Sequence, residues 1–215
     1  MRKYLAEFIG TFALVFCGTG AIIINQESGG AITHVGIAMT FGLIVAAMIY
    51  TVGDISGAHL NPAVTIAFWF SKTFPSQEIL PYVLSQTLGA FAASLTLKLL
   101  FPANLLLGST LPAGSPMQSF VLELILTFIL MFVIIHVAKG SKEQGMFAGV
   151  AIGGVVLLEA MFAGPICGAS MNPIRSIAPA VMSGHIEHLW LYILAPILGA
   201  MLAVITWDFL KVKSN

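Results

Sequence analysis

Residues 56–65 read Ser56-Gly57-Ala58-His59-Leu60-Asn61-Pro62-Ala63-Val64-Thr65, and residues 167–176 read Cys167-Gly168-Ala169-Ser170-Met171-Asn172-Pro173-Ile174-Arg175-Ser176. Each stretch carries a Gly-Ala pair, then Asn-Pro, then an apolar segment too short to cross a bilayer. Proline at the first helical position sacrifices no hydrogen bond and presets the backbone angle. An asparagine before it caps free backbone N–H groups. The two stretches therefore predict helix starts, with half-helices over Asn61–Ser71 and Asn172–Ser183. One Asn-Pro pair commonly starts an ordinary helix; two, each behind Gly-Ala, ask for a shared explanation.

Around these turns lie long apolar runs at Tyr4–Ile24, His34–Val52, Ile79–Leu100, Met117–Ala138, Gly145–Ala163 and Leu189–Leu210. Each is close to the roughly 20 residues that a membrane-crossing helix needs. Breaks fall at Asn25–Gly30, Phe101–Pro116, Lys139–Lys142 and Gly184–His188, all polar or rich in Gly and Pro. The 215-residue chain is 58% hydrophobic and only 8% charged, against about 25% charged in soluble domains. So few charges do not cover a water-facing surface, and an integral membrane protein is the class that fits. Formal net charge is zero, which argues against a nucleic-acid partner. Cys17 and Cys167 have no zinc spacing and read as inert thiols. No histidine pair has metal spacing, so neither a metal nor a cofactor is expected. His34, His185 and His188 fall near the ends of spans or in loops, and His136 reads as a structural residue on an apolar face. The first apolar run continues too far for a secretory signal.

The chain repeats itself. Matching segments recur in order at offsets of 116, 111 and 110 residues (Glu7 to Glu123, Asn61 to Asn172, Tyr82 to Tyr192). Three spans per repeat is an odd number, so the second copy is inverted in the membrane. The expected fold is an all-α membrane protein: six transmembrane helices, two re-entrant half-helices from opposite sides, and one channel domain over 1–215. Repeat 1 covers about 1–100 and repeat 2 about 117–210. Six spans put both termini on one face. Arg2, Lys3, Lys72, Lys139, Lys142, Lys211 and Lys213 share it, while Lys98 lies at the other. The positive-inside rule then predicts cytoplasmic termini.

Two half-helix N-termini meeting at mid-membrane make a positive zone lined with amide donors. Asn61 and Asn172 have N–H groups to offer a passing oxygen, while a cation meets repulsion and loses its hydration. The segments before them are expected to be extended, with an acceptor ladder of carbonyls around Gly57, Ala58, His59, Gly168 and Ser170. Irregular backbone at this depth belongs where it lines a cavity or is buried in protein. Arg175 is a pore candidate rather than a snorkelling cation, because it stands on a half-helix. Glu7 and Glu123, at equivalent places, read as proton carriers or as acceptors that hold the re-entrant loops; their symmetry favours the second. Glu159 has no acidic counterpart and is expected to bond loop backbone or touch the pore. Asp54 is expected to be solvated near the cytoplasmic mouth, with His59 bordering the vestibule.

The segments Ser56–Thr65 and Gly168–Ser176, with the Glu-x-x-x-Thr-Phe openings of both repeats, resemble the aquaporin (major intrinsic protein) family over essentially the whole chain. The resemblance implies a right-handed bundle with one pore per protomer, a homotetramer in the cell (inner or plasma) membrane, and passive flux of water or small neutral solutes without proton leak. It makes Asn61-Pro62-Ala63 and Asn172-Pro173-Ile174 the two signature turns, with Ile174 in place of the usual alanine. It also implies an outer selectivity filter of Phe41, Ala160, Ala169 and Arg175. A narrow water filter in this family carries a histidine where Ala160 stands, and Asp54 departs from the His often found at its position. The run Phe162-Ala163-Gly164-Pro165 is similar to the nodulin-26-like branch, associated with glycerol, urea, ammonia and metalloid hydroxides. A strict water channel and an ion-coupled secondary transporter are the alternatives. The transporter lacks an acidic cluster near the turns to bind a driving ion. A membrane enzyme lacks a nucleophile–base pair.

Overall fold

The computed structural model describes residues 1–211 and contains only helices and connections among them. In chain order these are α1 (Arg2–Glu27), α2 (Thr33–Ser56), α3 (Pro62–Phe70), α4 (Ile79–Leu100), α5 (Pro116–Lys139), α6 (Lys142–Met146), α7 (Ala148–Cys167), α8 (Pro173–Ser183) and α9 (Leu189–Leu210), with one 3-10 turn at Ser76–Glu78. Six of the helices are long and apolar enough to cross a membrane: α1, α2, α4, α5, α7 and α9. The short helices α3 and α8 are the re-entrant halves. Lys213 lies outside the described residues.

The inverted repeat is visible in the packing. Helix α4 lies on α1 as α9 lies on α5. Gly89 meets the Phe8 carbonyl, and its counterpart Gly199 meets the Leu124 carbonyl, so closely that a Cβ at either would collide with backbone. Without a hydrophobic drive between helices in lipid, such small-residue contacts supply the close packing. Tyr82 donates its hydroxyl to the Ser56 carbonyl at 2.8 Å, and Tyr192 donates to the Cys167 carbonyl at 2.8 Å. These carbonyls close α2 and α7, so each tyrosine satisfies the helix end that leads into a re-entrant loop.

Three spans differ from expectation at their ends, and the first of them, α1, runs on past Ile24 to Glu27. Helix α2 continues past Val52 to Ser56, which places Asp54 in its last turn. The fifth span begins at Ala148 rather than Gly145 and continues through Pro165 to Cys167. Its shift has a local cause. Ser141 and Gln144 form a capping box, so residues after the break at Lys139–Lys142 fold into the separate one-turn α6. Pro165 leaves the Met161 carbonyl without its usual helical donor. His34 Nε2 fills that role at 2.6 Å, so the helix proceeds without a break.

Candidate functional site

Helices α3 and α8 meet N-terminus to N-terminus through a reciprocal pair of bonds. Asn61 Nδ2 donates to the Met171 carbonyl at 2.7 Å, and Asn172 Nδ2 donates to the Leu60 carbonyl at 2.9 Å. Each Asn Oδ1 caps its own helix, accepting from Ala63 N at 2.9 Å and Ile174 N at 3.2 Å. A primary amide has two N–H donors. One of each pair crosses to the other loop, which leaves the second for the lumen.

The loops leading to these asparagines are not extended, contrary to the sequence expectation. Gly57, Ala58 and Leu60 have φ of 86°, 47° and 50°; Gly168, Ala169 and Met171 have 85°, 42° and 53°. The same left-handed pattern recurs at equivalent positions. Left-handed backbone costs a non-glycine residue roughly 1–2 kcal/mol, and it persists only where surroundings enforce it.

The enforcing groups are two buried carboxylates. Glu7 Oε1 accepts from His59 N at 2.9 Å and Ser56 Oγ at 2.8 Å, while Oε2 accepts from Leu60 N and Gln86 Nε2, both at 2.8 Å. Glu123 accepts from Ser170 N and Met171 N, both at 2.8 Å. Four donors therefore converge on Glu7 and two on Glu123. The sequence symmetry is broken behind them: the counterpart of Gln86 is Pro196, and that of Ser56 is Cys167.

His59 stacks on Phe68 with ring centres 4.8 Å apart and also packs on Phe74 and Tyr82. Its Nδ1 lies 3.1 Å from Thr65 Oγ1. That hydroxyl also lies 3.1 Å from the Asn61 carbonyl and accepts from Gln86 Nε2 at 3.0 Å. Thr65 has one proton. Given to the Asn61 carbonyl, it leaves Nδ1–H of His59 to donate to Oγ1, and every contact is then a hydrogen bond. This assignment leaves Nε2 as a bare acceptor.

A cavity of about 890 Å³ runs from Tyr50, Asp54 and Lys142 at the face bearing the termini, past both asparagines, to Phe41 and Arg175. Gly57, Ala58 and His59 line one side, Ala169 and Ser170 the other. Pro62, Ala63, Pro173 and Ile174 stand behind the wall, and so do Glu7 and Glu123. Two residues assigned to the pore from sequence, Ala160 and Gly168, are not among its walls. Glu159 is 4% exposed, and neither of its oxygens has a hydrogen-bond partner. It neither bonds a re-entrant loop nor lines the cavity, and nothing in the structure explains its presence there.

Arg175 is 2% exposed, with its guanidinium carbon 5.0 Å from the centre of the Phe41 ring. Nη1 donates to the Gly108 carbonyl at 2.9 Å, and Nε is without a partner. In sequence, 101–116 reads as a plain connection and gives no sign of this contact. The segment instead folds inward: Thr110 donates to Ser176 at 2.7 Å, and Ala113 N bonds the Ile166 carbonyl at 2.9 Å. Its Gly-Pro-Ser composition signals a loop and carries no signal of where the loop goes.

Comparison with known proteins agrees with this geometry. The model of the major intrinsic protein family matches residues 1–207. Aquaporin NIP1-1 of Zea mays is 46% identical over 212 residues, covering 98% of this chain and 75% of the relative. Nodulin-26 of Glycine max is 44% identical over 212 residues, covering 98% and 78%. Among solved structures, the aquaglyceroporin of Plasmodium falciparum superimposes with a TM-score of 0.88 at 27% identity, covering 97% of this chain and 96% of that one.

Proposed function

Because the chain belongs to the major intrinsic protein family, and is thus a membrane channel for water and small solutes rather than an enzyme, we propose that its solutes are small, uncharged and hydroxylated. Glycerol, urea and metalloid hydroxides are the class we have in mind, with ions and protons excluded. The observation that carries this reading is the pairing of Arg175 with Phe41, with Ala169 in the same cavity wall. Arg175 supplies the donors of the constriction, and Phe41 and Ala169 supply its apolar surface. On this reading Ala160 leaves free the space that a histidine would fill. A polyol presents one carbon face and one hydroxyl face, and so matches both sides.

Beyond the constriction, the spare N–H groups of Asn61 and Asn172 take over as donors. Carbonyls of Gly57, Ala58, His59 and Ser170, all lining the cavity, act as acceptors. Ion exclusion follows from the two facing helix N-termini and the buried Arg175 charge: a cation loses hydration and meets positive potential. Glu7 and Glu123 hold the loops rather than relay protons: loop N–H groups bond their oxygens, and neither side chain lines the cavity. The whole of 1–215 acts as one channel domain in a homotetramer of the cell membrane, with both termini cytoplasmic.

The test is a single proteoliposome preparation in which water, glycerol, urea and arsenite fluxes are compared. Glycerol flux is expected to rise linearly with its gradient and to ignore sodium and pH gradients. Saturation at low solute, or dependence on either ion gradient, would overturn the channel mechanism. Water flux without glycerol flux would leave a strict water channel.

A further inference from the structure

The Phe41 ring lies against a residue that has no side chain. Gly18 on α1 is buried, and a Cβ built there falls 2.5 Å from Phe41 Cδ1 and Cζ and closer still to Cε1. The obstruction is the ring itself rather than backbone. The next residue, Thr19, serves the opposite side of the constriction. Gly108 packs so tightly on it that a Cβ at 108 would lie 2.7 Å from Thr19 Cβ. The Gly108 carbonyl is the one that receives Arg175 Nη1. Thr19 is itself fixed, because its hydroxyl donates to the Val15 carbonyl at 2.6 Å. Two consecutive residues of α1, neither of them in the cavity wall, thus seat both members of the Phe41–Arg175 pair.

We propose that Gly18 and Thr19 are positioning residues that set the width of the constriction without touching solute. The missing side chain at Gly18 lets the Phe41 ring withdraw from the lumen, while Thr19 fixes the loop carbonyl that aims Arg175. The inference rests on the reading of Phe41 and Arg175 as the constriction. Its direction follows from packing. Phe41 is 8% exposed and borders the cavity. A methyl at Gly18 therefore drives the ring into the lumen and toward the guanidinium.

The experiment compares wild type, Gly18→Ala, Phe41→Ala and the double variant as full-length chains in proteoliposomes, reading water and glycerol permeability by stopped-flow light scattering. Gly18→Ala should lower glycerol permeability roughly ten-fold, the factor one carbon commands in a fitted pocket, with a much smaller loss for water. Phe41→Ala should raise the glycerol-to-water ratio, and Gly18→Ala should have no further effect in that background. An unchanged ratio in Gly18→Ala, with a raised ratio in Phe41→Ala, overturns the positioning role alone. An unchanged ratio in Phe41→Ala removes the constriction reading and the positioning role with it. If Gly18→Ala does not assemble but the double variant does, the ring is the source of the clash and the proposal stands. If neither assembles, it falls.

Discussion

The guanidinium carbon of Arg175 stands 5.0 Å from the centre of the Phe41 ring, inside the protein and almost wholly screened from solvent. A cation over an aromatic face is favourable by about 2 kcal/mol or more when desolvated. The Gly108 carbonyl takes one Nη1 N–H and Nε is buried without a partner; on the function proposed above, the remaining N–H groups serve solute. The pair therefore presents donors and an apolar face together, and its selectivity depends on what else enters the same cross-section.

Ala160→His adds an imidazole on α7 at the place where the structure has only a methyl behind the wall. Glycerol permeability should fall more than water permeability, measured side by side in proteoliposomes. Equal loss of both, or unchanged glycerol flux, would remove Ala160 from the constriction.

Glu7→Gln and Glu123→Gln should both destabilise the protein, Glu7→Gln more. An amide nitrogen in place of Glu7 Oε1 or Oε2 faces one backbone and one side-chain donor; in place of a Glu123 oxygen it faces one backbone donor. Hydrogen bonds to a charged group contribute roughly 1.5–3 kcal/mol each. Thermal midpoints in detergent should follow the order wild type, Glu123→Gln, Glu7→Gln. The reverse order would mean that the count of donors does not govern loop stability.

Ile174→Ala restores the family's usual residue yet empties a packed site, since Ile174 is 3% exposed and lies outside the cavity wall. Truncating a buried isoleucine costs about 2–5 kcal/mol. The midpoint should drop while the glycerol-to-water ratio stays constant. A changed ratio would show that Ile174 reaches the lumen.

A neutral His59 should carry its proton on Nδ1, since the single proton of Thr65 goes to the Asn61 carbonyl. Nitrogen-15 spectra of histidine-labelled protein in bilayers distinguish the two ring nitrogens. Thr65→Val removes the acceptor and should populate the other tautomer. Protonation at Nε2 in the wild type would contradict the hydrogen-bond assignment around Thr65.

Much of the fold is legible in the sequence because its signals are physical and local. Apolar length gives the spans, Asn-Pro gives the half-helix starts, and the Glu7–Glu123 and Tyr82–Tyr192 pairs give the repeat. The loop conformation is not legible. Ala58, Leu60, Ala169 and Met171 are residues that avoid positive φ, and tertiary hydrogen bonds hold these loops there: Glu7 and Glu123 take the Leu60 and Met171 N–H groups, while the crossed asparagines bond the Leu60 and Met171 carbonyls. Gln86 escapes a search by symmetry because Pro196 occupies its counterpart. The Gly108 carbonyl is invisible in a different way, since every residue has one and only the path of the chain aims it at Arg175.

The crossed bonds of Asn61 to Met171 and Asn172 to Leu60 carry one more consequence. Neither asparagine finds that acceptor within its own half of the chain. The centre of the conduit is therefore joint property of the two halves: neither half alone holds both partners of either bond.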